Sequence, residues 1–186
     1  MALTITTSSD TVPPAKSVPV KDVQDAATAQ GNPYAAKAIA ITMPKVHHET
    51  KQLNFETVTN KKNGTQFRFK AGTLPLTLSQ QILISDSLSD CAKKLWLAHE
   101  QDHVTDNEDV MNKMDAELRK DADFAAILLF PKWTPVGKNN ENFDKANKTI
   151  GDRIGAVFVR LTSAAATARD TDAEYKRVEA EIKKCK

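Results

Sequence analysis

The hydrophobic pattern of the chain changes near residue 85, and this change constrains the fold more than any other feature. Between residues 38 and 85, apolar and polar side chains alternate, as they do in strands that bury one face. After residue 85, apolar residues recur every three or four positions, as on one face of a helix. Strands followed by helices predict an α+β fold with a small antiparallel or mixed sheet, a long helix and C-terminal helices.

Three or four antiparallel strands are expected in the sheet. Residues 38–43 predict a strand that ends at Pro44. Residues 52–59 and 65–70 predict two strands joined by a tight turn, because Asn63-Gly64 tolerates the positive φ of a hairpin. Residues 74–85 complete the predicted sheet.

The helices and the N-terminal segment set the expected domain organisation. A long helix is predicted from the capping residues near Asp90 to about Ala122, and the last helix from Thr171 to Lys184. Residues 6–33 contain few large apolar side chains to offset the entropy of ordering. We therefore expect a flexible arm over residues 1–35 and one domain over residues 36–186. The alternative for the arm is an extended segment lying across the domain.

Composition excludes several classes of protein. The 186 residues carry a net charge of only +2, whereas nucleic-acid-binding proteins usually have a strong basic excess. The sequence has no apolar run long enough to predict a membrane span. The first ten residues lack the basic and apolar regions of a Sec signal peptide. Cys91 and Cys185 allow either two free thiols or one disulfide bond.

The segment His99-Glu100-Gln-Asp-His103 has the pattern H-E-x-x-H on the predicted long helix. Residues four apart lie on the same helix face, so both imidazoles can bind one Zn²⁺. Glu100 is rotated about 100° away and can act as general base toward the water that the metal activates. Two alternatives remain open: a pair of surface histidines beside an incidental Glu, and a zinc site without activity.

A catalytic zinc site usually has three protein ligands, and Glu174 is the preferred third ligand. If Cys91 and Cys185 are bonded and their helices are antiparallel, His103 lies about 18 Å from Cys91 along one helix. Glu174 then lies about 16.5 Å from Cys185 along the other helix, at the same level. Four acidic residues compete for the ligand position: Asp106, Asp109, Asp172 and Glu179.

Four residues are candidates for other roles near the metal: Tyr175, Asp106, His47 and His48. The Tyr175 hydroxyl could stabilise the oxyanion of a tetrahedral intermediate, or Tyr175 could simply pack with its hydroxyl at the surface. Asp106 could orient an imidazole, and it could equally be a solvated carboxylate. His47-His48 could contact metal or substrate, but a solvated pair in a turn is the better interpretation.

The strand-then-H-E-x-x-H-helix order resembles the zincin metallopeptidases. The segment from His99 to His103, with Tyr175 in a C-terminal helix, is also similar to a bacterial family assigned as secreted zinc peptidases. In that family the motif usually reads His-Glu-Gln-Gly-His, whereas this chain has Asp102 in place of Gly and lacks the His-Gly pair after Tyr175. The resemblance implies that His99 and His103 are zinc ligands and that Glu100 is the base. A ligand such as Glu174 from a downstream helix is the gluzincin arrangement.

The sequence thus predicts a zinc-dependent metallopeptidase that acts on a protein or peptide substrate with one Zn²⁺. A catalytically inactive binding module with the same fold and a cell-wall peptide amidase are the alternatives. We expect a monomer with no nucleic-acid partner and no membrane span, and with a cognate inhibitor or a secretion-system carrier as its further partner. The expected location is outside the producing cell, as a secreted or toxin-like effector.

Overall fold

The computed structural model describes residues 3–185, so the ends of the predicted arm (1–35) and domain (36–186) lie outside the described range. Within it the fold is mixed α/β, with a sheet and long helices. The strands are β1 (Leu3–Ser9), β2 (Lys16–Val18), β3 (Ala40–His48), β4 (Leu53–Asn60), β5 (Gly64–Ser85) and β6 (Thr134–Pro135). The helices are α1 (Val20–Ala29), α2 (Asp90–Lys120), α3 (Ala122–Leu128), α4 (Glu141–Arg169) and α5 (Asp172–Ile182).

The sheet is built around β5, with which each of the other described strands pairs. β4 and β6 run antiparallel to β5, whereas β2 runs parallel to it, with Lys16 opposite Leu83. The expected antiparallel pairing therefore holds for β4 and β6 but not for β2, and the described sheet has six strands rather than three or four. A parallel pair needs a long connection, and the chain between β2 and β5 supplies one through α1, β3 and β4.

Glycine is required at two positions of the β4–β5 hairpin. Gly64, opposite Asn60, has a φ of +67°, which confirms the predicted turn. At Gly72 a Cβ atom would lie 2.4 Å from the carbonyl oxygen of Gln52, so only glycine allows this close approach of the two backbones. The strand continues unbroken from Gly64 to Ser85, where the sequence predicted two separate strands.

Secondary structure also occupies the segment for which a flexible arm was expected: β1, β2 and α1 lie there. Val18, Val23 and Ala27 of this segment are buried in one cluster with Ile41 and Leu83. Pairing of β2 with β5 supplies the backbone hydrogen bonds that the sequence pattern alone could not predict.

The chain groups into two compact units. The first contains residues 3–8, 46–78 and 110–161, and the second contains residues 9–45, 79–109 and 162–185. In the first unit, phenylalanine rings meet edge to face, with Phe143 5.1 Å from Phe55 and 5.3 Å from Phe67 between ring centroids. The second unit contains the whole H-E-x-x-H motif and α5.

The second unit has a core that lies beside the motif. Ala40, Ile84, Trp96 and Val178 are buried together, and Tyr175 packs against them. Trp96 lies one turn before His99 on α2, so this core holds the motif helix against β3, β5 and α5. Within residues 3–185, no helix is both long and apolar enough to cross a membrane.

Candidate metal centre

The helix α2 brings His99 and His103 together. The two residues lie four positions apart on a continuous helix, and their Nε2 atoms are 3.2 Å from each other. The side chain of His99 is 1% exposed and that of His103 is 12% exposed. Because buried imidazoles need polar partners, this pairing calls for a third group close by.

Asp170 supplies that group from the connection between α4 and α5. Its Oδ1 atom lies 2.9 Å from His103 Nε2 and 3.2 Å from His99 Nε2. Ligand atoms bound at about 2.0–2.1 Å around a tetrahedral zinc ion lie about 3.3 Å apart. The two nitrogens and the oxygen therefore form a triangle of a size that can hold a metal ion, and the two-nitrogen, one-oxygen donor set suits such an ion.

The ionisation of Asp170 and that of His99 depend on each other. Burial opposes the ionised form of Asp170, but hydrogen bonds from His103 and His99 outweigh it and lower its pKa to about 2. Burial likewise opposes protonation of His99, but the hydrogen bond to Asp170 and the charge of Glu100 raise its pKa. Asp170 is thus an anion throughout the physiological pH range, as a metal ligand must be.

Glu174, the predicted third ligand, lies on the other side of the His99 ring. Its Oε1 atom is 3.5 Å from His99 Nδ1, whereas the triangle is formed by the Nε2 atoms. Arg177 donates two hydrogen bonds to Glu174, at 2.8 and 2.5 Å, and lowers its pKa to about 2. Asp170 therefore lies at the Nε2 atoms of both histidines, whereas Glu174 lies on the Nδ1 side of His99.

Glu100 lies in the interior beside β3. The residue is 4% exposed, and its Oε2 atom lies 2.8 Å from the hydroxyl of Thr42, which also lies 3.0 Å from the Glu100 carbonyl. Burial raises the pKa of Glu100, while the charges of His103 and His99 and the Thr42 hydrogen bond partly offset the shift. A carboxylate with a raised pKa in a dry site is a suitable proton acceptor.

Tyr175 lies against the motif. Its ring centroid is 6.0 Å from that of His99, 5.9 Å from Trp96 and 5.2 Å from Tyr34. Burial and the nearby charges of Asp170 and Glu100 raise the pKa of Tyr175, so its hydroxyl stays protonated and can donate a hydrogen bond.

Arg169 forms hydrogen bonds with Asp102 and Asp106, which lie on either side of His103 in the sequence. Its guanidinium donates two hydrogen bonds to Asp106, at 2.5 and 2.8 Å, and one to Asp102 at 3.2 Å. The guanidinium lowers the pKa of Asp106. Asp106 is thus held by Arg169, whereas the sequence had left open whether it orients an imidazole or is a solvated carboxylate.

The other sequence candidates do not join the cluster. Asp109 and Glu179 are exposed, and Asp172 accepts a hydrogen bond from the hydroxyl of Tyr34 at 3.4 Å. His47 and His48 are exposed residues of the first unit.

A disulfide bond joins Cys91 to Cys185, which is one of the two alternatives that the sequence left open. It connects the first turn of α2 to the residues that follow α5. The N-terminal end of α2, the helix that carries the motif, is therefore covalently linked to the C-terminal end of α5, the helix that carries Tyr175.

Asp170, Thr42 and Arg169 were missed by sequence reasoning. One signal pointed to Asp170: it directly precedes Thr171, which caps α5, so it lies at a helix break where a side chain is free to turn toward α2. Arg169 could have been matched by charge to Asp102 and Asp106. No signal in the sequence pointed to Thr42. Comparison with known proteins finds no matching family model, no similar curated protein and no similar solved structure.

Proposed function

We propose that the protein is a zinc-dependent metallopeptidase, with His99, His103 and Asp170 as the zinc ligands. The observation that carries the proposal is the convergence of these three ligand atoms at 2.9–3.2 Å beside a buried glutamate that directly follows the first histidine. Zinc bound in such a site supplies Lewis acidity and lowers the pKa of coordinated water.

Glu100 is the general base in this proposal. Its carboxylate takes a proton from the attacking water and passes it to the leaving amine. Burial supports this role because it raises the pKa of the carboxyl toward the working pH. Thr42 has a single hydroxyl proton, which it can donate either to the side chain or to the carbonyl of Glu100. When the proton goes to Oε2, the hydrogen bond holds the Glu100 carboxylate in one orientation.

Tyr175 and Glu174 complete the proposed machinery. The Tyr175 hydroxyl remains protonated and can donate a hydrogen bond to the oxyanion that develops during peptide hydrolysis. Glu174 Oε1 lies 3.5 Å from His99 Nδ1, which has no hydrogen-bond partner among the described residues. The negative charge of Glu174 favours a proton on Nδ1, which leaves the Nε2 lone pair directed at the ligand triangle.

The disulfide bond supports a location outside the producing cell, because such bonds persist in oxidising compartments. We therefore propose that the substrate is a protein or peptide met after export.

One observation favours a second function. Glu100 is nearly inaccessible and its Oε2 atom is engaged by Thr42, as expected for a metal-binding module that does not hydrolyse peptides. The two functions differ in what Glu100 does, so they can be separated at this residue.

The test combines metal analysis with Glu100→Gln. Under the metallopeptidase proposal, the purified protein contains about one zinc per chain after reconstitution. Glu100→Gln then retains zinc and loses at least about 10²-fold in turnover. Its thermal midpoint does not fall, because a buried carboxylate is replaced by a neutral group that still accepts from Thr42. Absence of zinc from the folded protein would remove the proposal. Bound zinc without peptide hydrolysis by the wild type would favour the binding module.

A further inference from the structure

The ligand Asp170 lies in a two-residue connection, and both of its neighbours are fixed. α4 ends at Arg169 and α5 begins at Asp172. On the C-terminal side of Asp170, the Thr171 hydroxyl accepts a hydrogen bond from the backbone N–H of Glu174 at 3.2 Å and so caps α5. The backbone N–H of Asp170 itself donates to the carbonyl of Ala166 at 2.7 Å.

On the N-terminal side of Asp170, the guanidinium of Arg169 is held by two carboxylates. Its Nε and Nη2 atoms donate to the two oxygens of Asp106, and its Nη1 atom donates to Asp102. A planar guanidinium that donates two parallel bonds to one carboxylate has a defined orientation, which a lysine ammonium cannot reproduce.

The two carboxylates belong to the helix that carries the histidines. Asp102 directly precedes His103 on α2, and Asp106 lies three residues after it. The side chain of Arg169 thus ties the backbone next to Asp170 to α2, the helix that carries both histidines. Since partly exposed ion pairs contribute little to global stability, the main effect of this one is on the geometry of the connection.

We propose that Arg169 is a positioning residue that, with Asp102 and Asp106, holds Asp170 at the distance from His99 and His103 that a metal ion requires. This inference rests on the proposed function, since it concerns the same ligand set. It predicts that metal affinity depends on a side chain that does not itself touch the metal.

The first experiment is zinc titration of the metal-free full chain against a competing chelator. Arg169→Gln is expected to weaken zinc binding by roughly 10–100-fold, the usual effect of losing a partner that orients a ligand. Arg169→Lys is expected to retain only part of the wild-type zinc affinity. Lysine keeps the positive charge but lacks the planar guanidinium that donates two parallel hydrogen bonds. The matched control is Arg160→Gln, since Arg160 lies on the same helix and forms an ion pair with Glu117 at 2.8 Å in the first unit.

Asp106→Asn serves as a second variant, because it neutralises the carboxylate that accepts two hydrogen bonds from Arg169. It is expected to weaken zinc binding in the same direction as Arg169→Gln. Zinc affinities of both variants equal to that of Arg160→Gln would overturn the inference while leaving the proposed function intact.

The second experiment needs no metal. Amide hydrogen exchange of the metal-free protein is expected to be faster at residues 170–174 in Arg169→Gln than in Arg160→Gln. If the wild type binds no zinc, the proposed function fails, and this measurement still decides whether Arg169 positions Asp170. Unchanged exchange at these amides would then overturn the positioning role.

Discussion

His103 and Asp170 lie 67 residues apart in the sequence, yet His103 Nε2 and Asp170 Oδ1 are 2.9 Å apart. This contact determines which acidic residue completes the candidate metal centre. It depends on where α4 ends and on the direction in which α5 departs, since Asp170 lies between the two helices. Glu174, one turn into α5, reaches His99 Nδ1 instead.

The first prediction concerns Asp170. Asp170→Asn removes the anionic ligand atom, so zinc affinity should fall by more than the roughly 10–100-fold that loss of an orienting partner costs. Glu174→Gln should cause only that smaller loss, because Glu174 faces Nδ1 rather than the ligand triangle. Both affinities can be measured by competition with a fluorescent chelator. The reverse order of effects would return Glu174 to the ligand position.

The second prediction concerns Tyr175. Tyr175→Phe keeps the ring contacts with Trp96 and Tyr34 but removes the hydroxyl donor. Peptide turnover should fall by about 10²–10³-fold in kcat while zinc stays bound, as when one oxyanion donor is lost. Tyr34→Phe is the matched control, because its hydroxyl contacts Asp172 instead. Equal losses of turnover in the two variants would argue against a specific role for Tyr175.

The third prediction concerns the disulfide bond. Cys91 and Cys185 are separated by 94 residues, so the bond restricts a long loop in the unfolded chain. The chain-entropy model gives a stabilisation of up to about 4–5 kcal/mol. Cys91→Ser combined with Cys185→Ser should lower the free energy of unfolding in urea toward this amount. Two reactive thiols in non-reduced, natively exported protein would contradict the bond itself.

The fourth prediction is a pH dependence of stability in the first unit. Asp121 accepts hydrogen bonds from Arg153 at 2.5–3.1 Å and caps α3, and Arg153 lowers the pKa of Asp121. Because the folded-state pKa is lowered, this stabilisation is fully present above about pH 4, near the usual aspartate pKa, and is lost as the pH falls through the folded-state value.

Asp121→Asn isolates the charge, since asparagine caps helices as well as aspartate does. It should cost about 1 kcal/mol at pH 7, because Arg153 is 37% exposed and solvent screens the pair. The cost should shrink on acidification. Asp123→Asn is the control, because Asp123 lies 3.8 Å from Arg153 and is largely exposed. Urea unfolding at pH 7 and pH 3 measures both variants; a cost of Asp121→Asn that does not change with pH would rule out the charge effect.

Local periodicity was sufficient for several features. The long helix α2 ends at Lys120, close to the predicted Ala122, and the Asn63-Gly64 turn joins β4 to β5 as expected. These features depend on hydrogen bonds and side-chain positions within a few residues of one another, which the sequence encodes directly.

Long-range pairing was not readable in the same way. β2 is three residues long and pairs with the end of β5, so its own sequence gave no strand signal. Burial of Val23 and Ala27 in α1 depends on Ile41 and Leu83, which are distant in the sequence. An arm that was expected to be flexible is therefore occupied by β1, β2 and α1.

The sequence by itself identified His99 and His103 as candidate metal ligands and Glu100 as the candidate base. It also identified Cys91 and Cys185 as a pair that can form a disulfide bond. The spacing of four places His99 and His103 on one helix face whatever surrounds the helix. Only the tertiary structure decided that Asp170 meets them, that Glu174 lies against the opposite nitrogen of His99, and that Thr42 holds Glu100. The physical reason is that a helix fixes the angle between its own side chains, whereas contacts with other elements depend on how those elements end and pack.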